Sequence, residues 1–101
     1  MATLQELIKE KILIIDGAMG TQIQALQIPS EKWEGKEGCN ELLNVTCKDE
    51  ISKIHRGYLL AGADIIKTNT FGALPWVLDD YEIGERTYEL ARAGVSIVKE
   101  A

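Results

Sequence analysis

The chain has 101 residues, with 11 Lys plus Arg against 16 Asp plus Glu, a formal charge of −5, 46% apolar and 27% charged residues. These values fit one ordinary globular domain with a small core, because a chain of this length buries only roughly 60–65% of the surface its unfolded form exposes. An acidic balance with no Lys/Arg cluster argues against a nucleic-acid backbone or an anionic membrane surface as partner.

Thr3 followed by Glu6 has the form of a capping box, and Leu4, Leu7 and Ile8 then share a helical face, so a short helix is expected to about Lys9. Ile12-Leu13-Ile14-Ile15 follows. Consecutive apolar residues, mostly β-branched, predict a strand buried on both faces, as in parallel sheets. Asp16-Gly17-Ala18-Met19-Gly20-Thr21 ends it. Residues 22–45, broken by Pro29, Gly35 and Gly38, read as a long loop with one turn of helix.

A second unit repeats the order. Thr46 and Asp49 offer a cap, Ile51, Ile54, Tyr58 and Ala61 keep helical spacing, and Gly62 is placed to close the helix. Ala63–Thr68 reads as a second strand and Asn69–Pro75 as a loop. A last helix opening at Asp79 or Asp80 would carry Ile83, Tyr88, Ala91, Val95 and Val98 on its apolar face. The alternation predicts an α/β fold of parallel strands joined by crossover helices. Two such strands leave open edges and apolar faces, so the pattern is expected to be the opening of a larger architecture, or else to self-associate.

In a fold of this kind the segments after each strand gather on one rim, where ligands bind. That places Asp16 and Gly17 opposite Thr68, Asn69 and Thr70. An Asp there can hold a ligand ammonium and a Gly lets a carboxylate approach backbone N–H groups; equally, Asp16 can cap a local turn while Gly17 and Gly20 supply unusual backbone angles. Asn40 and Asn44 can reach the same rim or act as turn residues. Gly17-x-x-Gly20 is neither a dinucleotide fingerprint nor a phosphate loop.

Cys39 and Cys47, with seven residues between them, match neither a CxxC pair nor a disulfide framework and are expected as free thiols. His55 lacks a second ligand at metal spacing and reads as a helix residue. Trp33 and Trp76 fall in loops, where partial burial or contact with further chain is the ordinary account. No apolar run approaches the roughly 18 residues that span a bilayer, and the start has no signal-like pattern. A cytoplasmic protein is therefore expected, in which Asn44-Val45-Thr46 would not serve as a glycosylation acceptor.

Three ordered motifs carry a resemblance: Ile14-Ile15-Asp16-Gly17-Ala18-Met19-Gly20-Thr21, then Asn40-Glu41-Leu42-Leu43-Asn44, then His55-Arg56-Gly57-Tyr58 with Ala61–Gly72. Together they resemble the opening of the homocysteine S-methyltransferase family, in its cobalamin-dependent branch. The resemblance implies a (β/α)8 TIM-type barrel, usually of roughly 250 residues, left incomplete here: residues 1–101 would be a partial homocysteine-binding domain comprising the first two βα units.

It further implies methyl transfer to the thiol of homocysteine, giving methionine. Asp16 would contact the substrate amino group, the Gly17-Ala18 backbone would hold the carboxylate, and Asn40, Thr68 and Asn69 would line the mouth. Zinc, held in the family by three later cysteines, would activate the thiol; Cys39 and Cys47 do not match that motif, so no metal ligand is assigned here. Cobalamin would serve the full-length enzyme, with methylcobalamin or a methyltetrahydrofolate as methyl source. Two residues depart from the family pattern: Lys67 stands where Glu is common, and Lys48 where Pro often opens the helix. The alternative reading is a non-catalytic, truncated α/β module for binding or assembly.

Overall fold

The computed structural model describes residues 2–101. Helix α1 spans Leu4–Glu10, with the Thr3 hydroxyl accepting from the Glu6 N–H at 3.2 Å, as the capping pattern predicts. No α1 residue is buried. Helix α2 covers Gly20–Leu26, α3 Leu43–Thr46, α4 Lys48–Leu60, α5 Pro75–Leu78 and α6 Thr87–Glu100, with 3-10 turns at Ser30–Trp33, Asn40–Leu42, Asp79–Tyr81 and Gly84–Arg86.

The expected α/β fold, and with it the opening portion of a (β/α)8 barrel, is overturned. Among the described residues no strand forms, and the segments expected as strands meet in an isolated parallel bridge between Ile15 and Ile65. The chain is a small all-helical arrangement. Around the bridge, the Ile65 N–H donates to the Ile14 carbonyl at 3.1 Å and the Asp16 N–H to the Ile65 carbonyl at 2.9 Å. A parallel ladder would continue from Ile14 N–H to the Ala63 carbonyl and from Lys67 N–H to the Asp16 carbonyl. Aspartate side chains intercept both donors: Ile14 N–H donates to Asp64 Oδ2 at 3.0 Å, and Lys67 N–H to Asp16 Oδ2 at 3.1 Å. Short polar side chains competing for backbone donors end regular structure in this way. Nor are the apolar residues covered, since Ile12 is 90% exposed and Ile14 and Ile15 are also exposed.

The expected loop over 22–45 is instead substantially helical. Gly20–Leu26 forms α2, which buries Ile23 against α4, and the 3-10 turn at Asn40–Leu42 leads into α3. Cys47, not Thr46 or Asp49, precedes α4, with no side-chain cap; Asp49 and Glu50 instead place negative charge in the first turn, where the helix dipole favours it. Gly62 ends α4 at φ +111°, and the Ala63 N–H reaches back to the Tyr58 carbonyl at 3.0 Å, a Schellman-type closure.

Helix α6 begins at Thr87, after two 3-10 turns, rather than near Asp79. The later start is accompanied by a different buried face: Leu90, Gly94 and Ile97, at spacings of four and three, point inward, whereas Tyr88 and Val95 are exposed. Two apolar clusters result. One joins Ile23, Leu43, Cys47, Ile51, Ile54 and Ile97, flanked by Trp33 and Tyr58; the other joins Cys39, Leu42, Leu78, Ile83 and Leu90. The neighbours Leu42 and Leu43, and Leu90 and Ile97 on α6, tie the two together. The radius of gyration is 14.8 Å, above the roughly 13 Å of a compact domain of this length.

Candidate functional site

Next to the Ile15–Ile65 bridge lies a cleft of about 750 Å³ lined by 16–20, Asn40, Glu41 and 67–71. Every residue the sequence assigned to the substrate, Asp16, Gly17, Ala18, Asn40, Thr68 and Asn69, lies on its wall. The bridge is what assembles it: by pairing Ile15 with Ile65, it brings the two following segments side by side without any sheet.

Asp16 is the electrostatic centre. Its side chain is only 2% exposed, and Oδ1 lies 2.5 Å from the Lys67 ammonium. The same Nζ donates to the Asp16 carbonyl at 2.9 Å and the Gly17 carbonyl at 3.4 Å. An ammonium has three donors, and here they face a cradle of three oxygens from residues 16 and 17.

Neither Gly17 nor Gly20 has a positive φ, so neither supplies an unusual backbone angle. Gly17 serves close approach instead. A Cβ there would lie 3.0 Å from the Tyr58 hydroxyl, and that hydroxyl donates to the Ala18 carbonyl at 2.6 Å. Helix α4 thereby holds the 17–18 segment from behind.

The opposite wall rests on a buried amide network. Asn69 Nδ2 donates to the Asn40 carbonyl at 2.9 Å and to Asn44 Oδ1 at 3.0 Å, while Asn44 Nδ2 donates to the carbonyls of Asn69 at 2.8 Å and Leu90 at 3.2 Å. Both amide hydrogens of Asn69 are thus committed to the framework. Thr68 and Thr70 hydroxyls share a hydrogen bond at 2.5 Å. Glu41, to which the sequence reading gave no role, is buried and accepts the Gly72 N–H at 3.0 Å. A carboxylate between Asn40 and the apolar pair Leu42-Leu43 was the available signal, because a charge so placed needs a partner if it is buried.

His55 on α4 is 0% exposed, with neither ring nitrogen hydrogen-bonded. Burial lowers its pKa from the ordinary value, the Asp16 carboxylate acting in the opposite sense. Cys39 and Cys47 are free and buried, one in each apolar cluster; burial raises the Cys39 thiol pKa. Among the described residues no three His, Cys, Asp or Glu side chains form a group that could hold a metal ion. Among the described residues no helix is long and apolar enough to cross a membrane.

A nearly buried carboxylate paired with the Lys67 ammonium, beside backbone groups and amides in an open cleft, has the chemistry to receive a small charged group. The sequence comparison narrows the class. The model of the homocysteine S-methyltransferase family matches residues 13–101, and the chain belongs to that family. It is 43% identical over 96 residues, 95% of its length, to methionine synthase of Mycobacterium tuberculosis (strain ATCC 25618 / H37Rv), and 42% identical over the same length to methionine synthase of Mycobacterium leprae (strain TN). It spans about 8% of the length of each.

Proposed function

We propose that residues 1–101 are part of a homocysteine-binding domain and that the cleft holds the amino-acid end of homocysteine for methyl transfer to its sulfur, giving methionine. One observation supports this above the others: Asp16, although almost buried, receives an ammonium on Oδ1. A carboxylate in that setting needs a cation, and an α-amino group has the same three-donor geometry as the lysine head.

In this reading Asp16 accepts the substrate ammonium, the Gly17-Ala18 backbone contributes to carboxylate binding, and Asn40 and Thr68 line the mouth. Asn69 holds the wall through its amide network. The segment's contribution to catalysis is orientation, which fixes the γ-thiol relative to an incoming methyl group. The sulfur lone pair forms the new S–CH3 bond as the donor–CH3 bond breaks, its electron pair staying with the donor, and the thiol proton passes to solvent. Methylcobalamin or a methyltetrahydrofolate is the proposed donor. The residues described do not fit a zinc site, since the two cysteines lie in different clusters and no third ligand joins either; no step of thiol activation is assigned to them.

Asp16→Asn in the full-length protein tests the assignment. Homocysteine affinity should fall by about 1.5–3 kcal/mol, the scale of a charge-assisted hydrogen bond. Melting temperature should change little, because the Lys67 side chain is 59% exposed and such a partner is readily resolvated. Unchanged affinity with a lowered melting temperature would remove Asp16 from the substrate site.

A further inference from the structure

Lys67 is the half of the Asp16–Lys67 pair to which the proposed function gives no role. The two halves differ. Asp16 is fixed: Oδ2 is held by the Lys67 backbone N–H at 3.1 Å, and its side chain is almost fully buried. The Lys67 ammonium sits at the end of a four-carbon stem, 59% exposed, and lines the same cleft. The stem can therefore turn away while the backbone N–H continues to hold Oδ2, leaving Oδ1 and the carbonyls of residues 16 and 17 as a vacated ammonium cradle.

We propose that Lys67 is a specificity-determining residue that closes the Asp16 cradle against simple amines and opens it to α-amino-acid zwitterions by exchanging partners. This rests on the reading of Asp16 as the substrate-ammonium acceptor. A zwitterion carries one ammonium and one carboxylate separated by a single carbon. Its ammonium takes the place of Lys67 on Asp16, and the displaced Lys67 head takes the substrate carboxylate, so one ion pair becomes two with no charge left unpaired. An amine without a carboxylate only trades places with Lys67: it gains what the lysine loses. Replacing the lysine head by an apolar group removes both effects, freeing the cradle for any ammonium and leaving the zwitterion's carboxylate only the weaker contribution of the Gly17-Ala18 backbone.

The probes are homocysteine and 3-aminopropane-1-thiol, which has the same chain and thiol but no carboxylate, titrated calorimetrically into the full-length protein. The wild type should bind homocysteine roughly tenfold or more tightly than the amine, the scale of one charge-assisted contact. In Lys67→Met that preference should shrink to within about threefold, chiefly because the amine gains affinity, whereas Lys67→Arg should retain it. A lysine with a merely structural role would shift both ligands together and leave the preference unchanged, which overturns the proposal. Equal gains by both ligands in Lys67→Met also overturn it, since they describe a competitor and not a partner exchange. Asp16→Asn run alongside separates the two levels: weakened homocysteine binding there with an unchanged preference in Lys67→Met leaves the proposed function standing and the exchange refuted. Homocysteine affinity indifferent to Asp16→Asn removes both.

Discussion

The side-chain amides of Asn44 and Asn69 are bonded to each other and to backbone on either side: Asn69 Nδ2 donates to Asn44 Oδ1 at 3.0 Å, and Asn44 Nδ2 returns to the Asn69 carbonyl at 2.8 Å. Both residues are buried. The pair joins α3, α6 through the Leu90 carbonyl, and the 67–71 wall of the cleft. Truncation of either member strands the other's polar groups away from water, so Asn44→Ala and Asn69→Ala should each cost about 1–3 kcal/mol. Because they share one network, the double variant should cost less than the sum, by roughly 0.5–3 kcal/mol. Urea melts of the four chains measure the coupling; strict additivity would mean that the amides act independently.

Gly94 marks where α6 presses on that network. A Cβ built there lies 2.7 Å from Thr70 Cγ2 and 2.9 Å from Asn44 Nδ2. Gly→Ala in a helix ordinarily stabilises by about 0.5–1 kcal/mol, but here the added methyl must push the wall away, and Gly94→Ala should destabilise by about 1–3 kcal/mol. Gly57 in α4 is the control, since nothing lies within 4 Å of its Cβ position. Gly57→Ala should follow the ordinary rule. If both variants move the denaturation midpoint in the same direction, the close approach at Gly94 has no energetic weight.

Burial holds the His55 pKa below the ordinary 6.5. Between the folded value and 6.5 the unfolded chain binds more protons than the native one, so stability falls as pH drops below about 6.5 and is fully present above it. His55→Phe keeps an aromatic ring and removes two nitrogens that have no partner. The variant should lie within about 1 kcal/mol of wild type at pH 7.5 and should lose much of the slope between pH 7 and 5. Thermal melts across that range check it, and an undiminished slope in the variant would assign it to other groups.

Ile12, Ile14 and Ile15 expose apolar side chains beside backbone that pairs at a single bridge. Such an edge favours association. The 101-residue chain alone should sediment with a weight-average mass that rises with concentration, and Ile12→Thr with Ile14→Thr should reduce that rise. A concentration-independent monomer would show that the exposed face is inert.

The local elements were legible where short-range chemistry decides them. Thr3 and Glu6 announced α1, the 51/54/58 spacing announced the body of α4, and Gly62 announced its end, because caps, helical periodicity and positive φ depend on residues within a turn or two. The residues gathered in the cleft were also named in advance, since Asp16 and Asn69 follow the two segments that the bridge joins. Tertiary structure alone decided the rest. An apolar run such as Ile12–Ile15 becomes a strand only if partners extend the ladder, and instead Asp64 and Asp16 take the next backbone donors at each end. The buried face of α6 depended on whether Leu90 or Tyr88 met α3 and the 3-10 turn at Asn40–Leu42, a choice that helical periodicity leaves open. The Asp16–Lys67 pair joins residues 51 positions apart, so its ammonium cradle exists only once Ile15 has found Ile65.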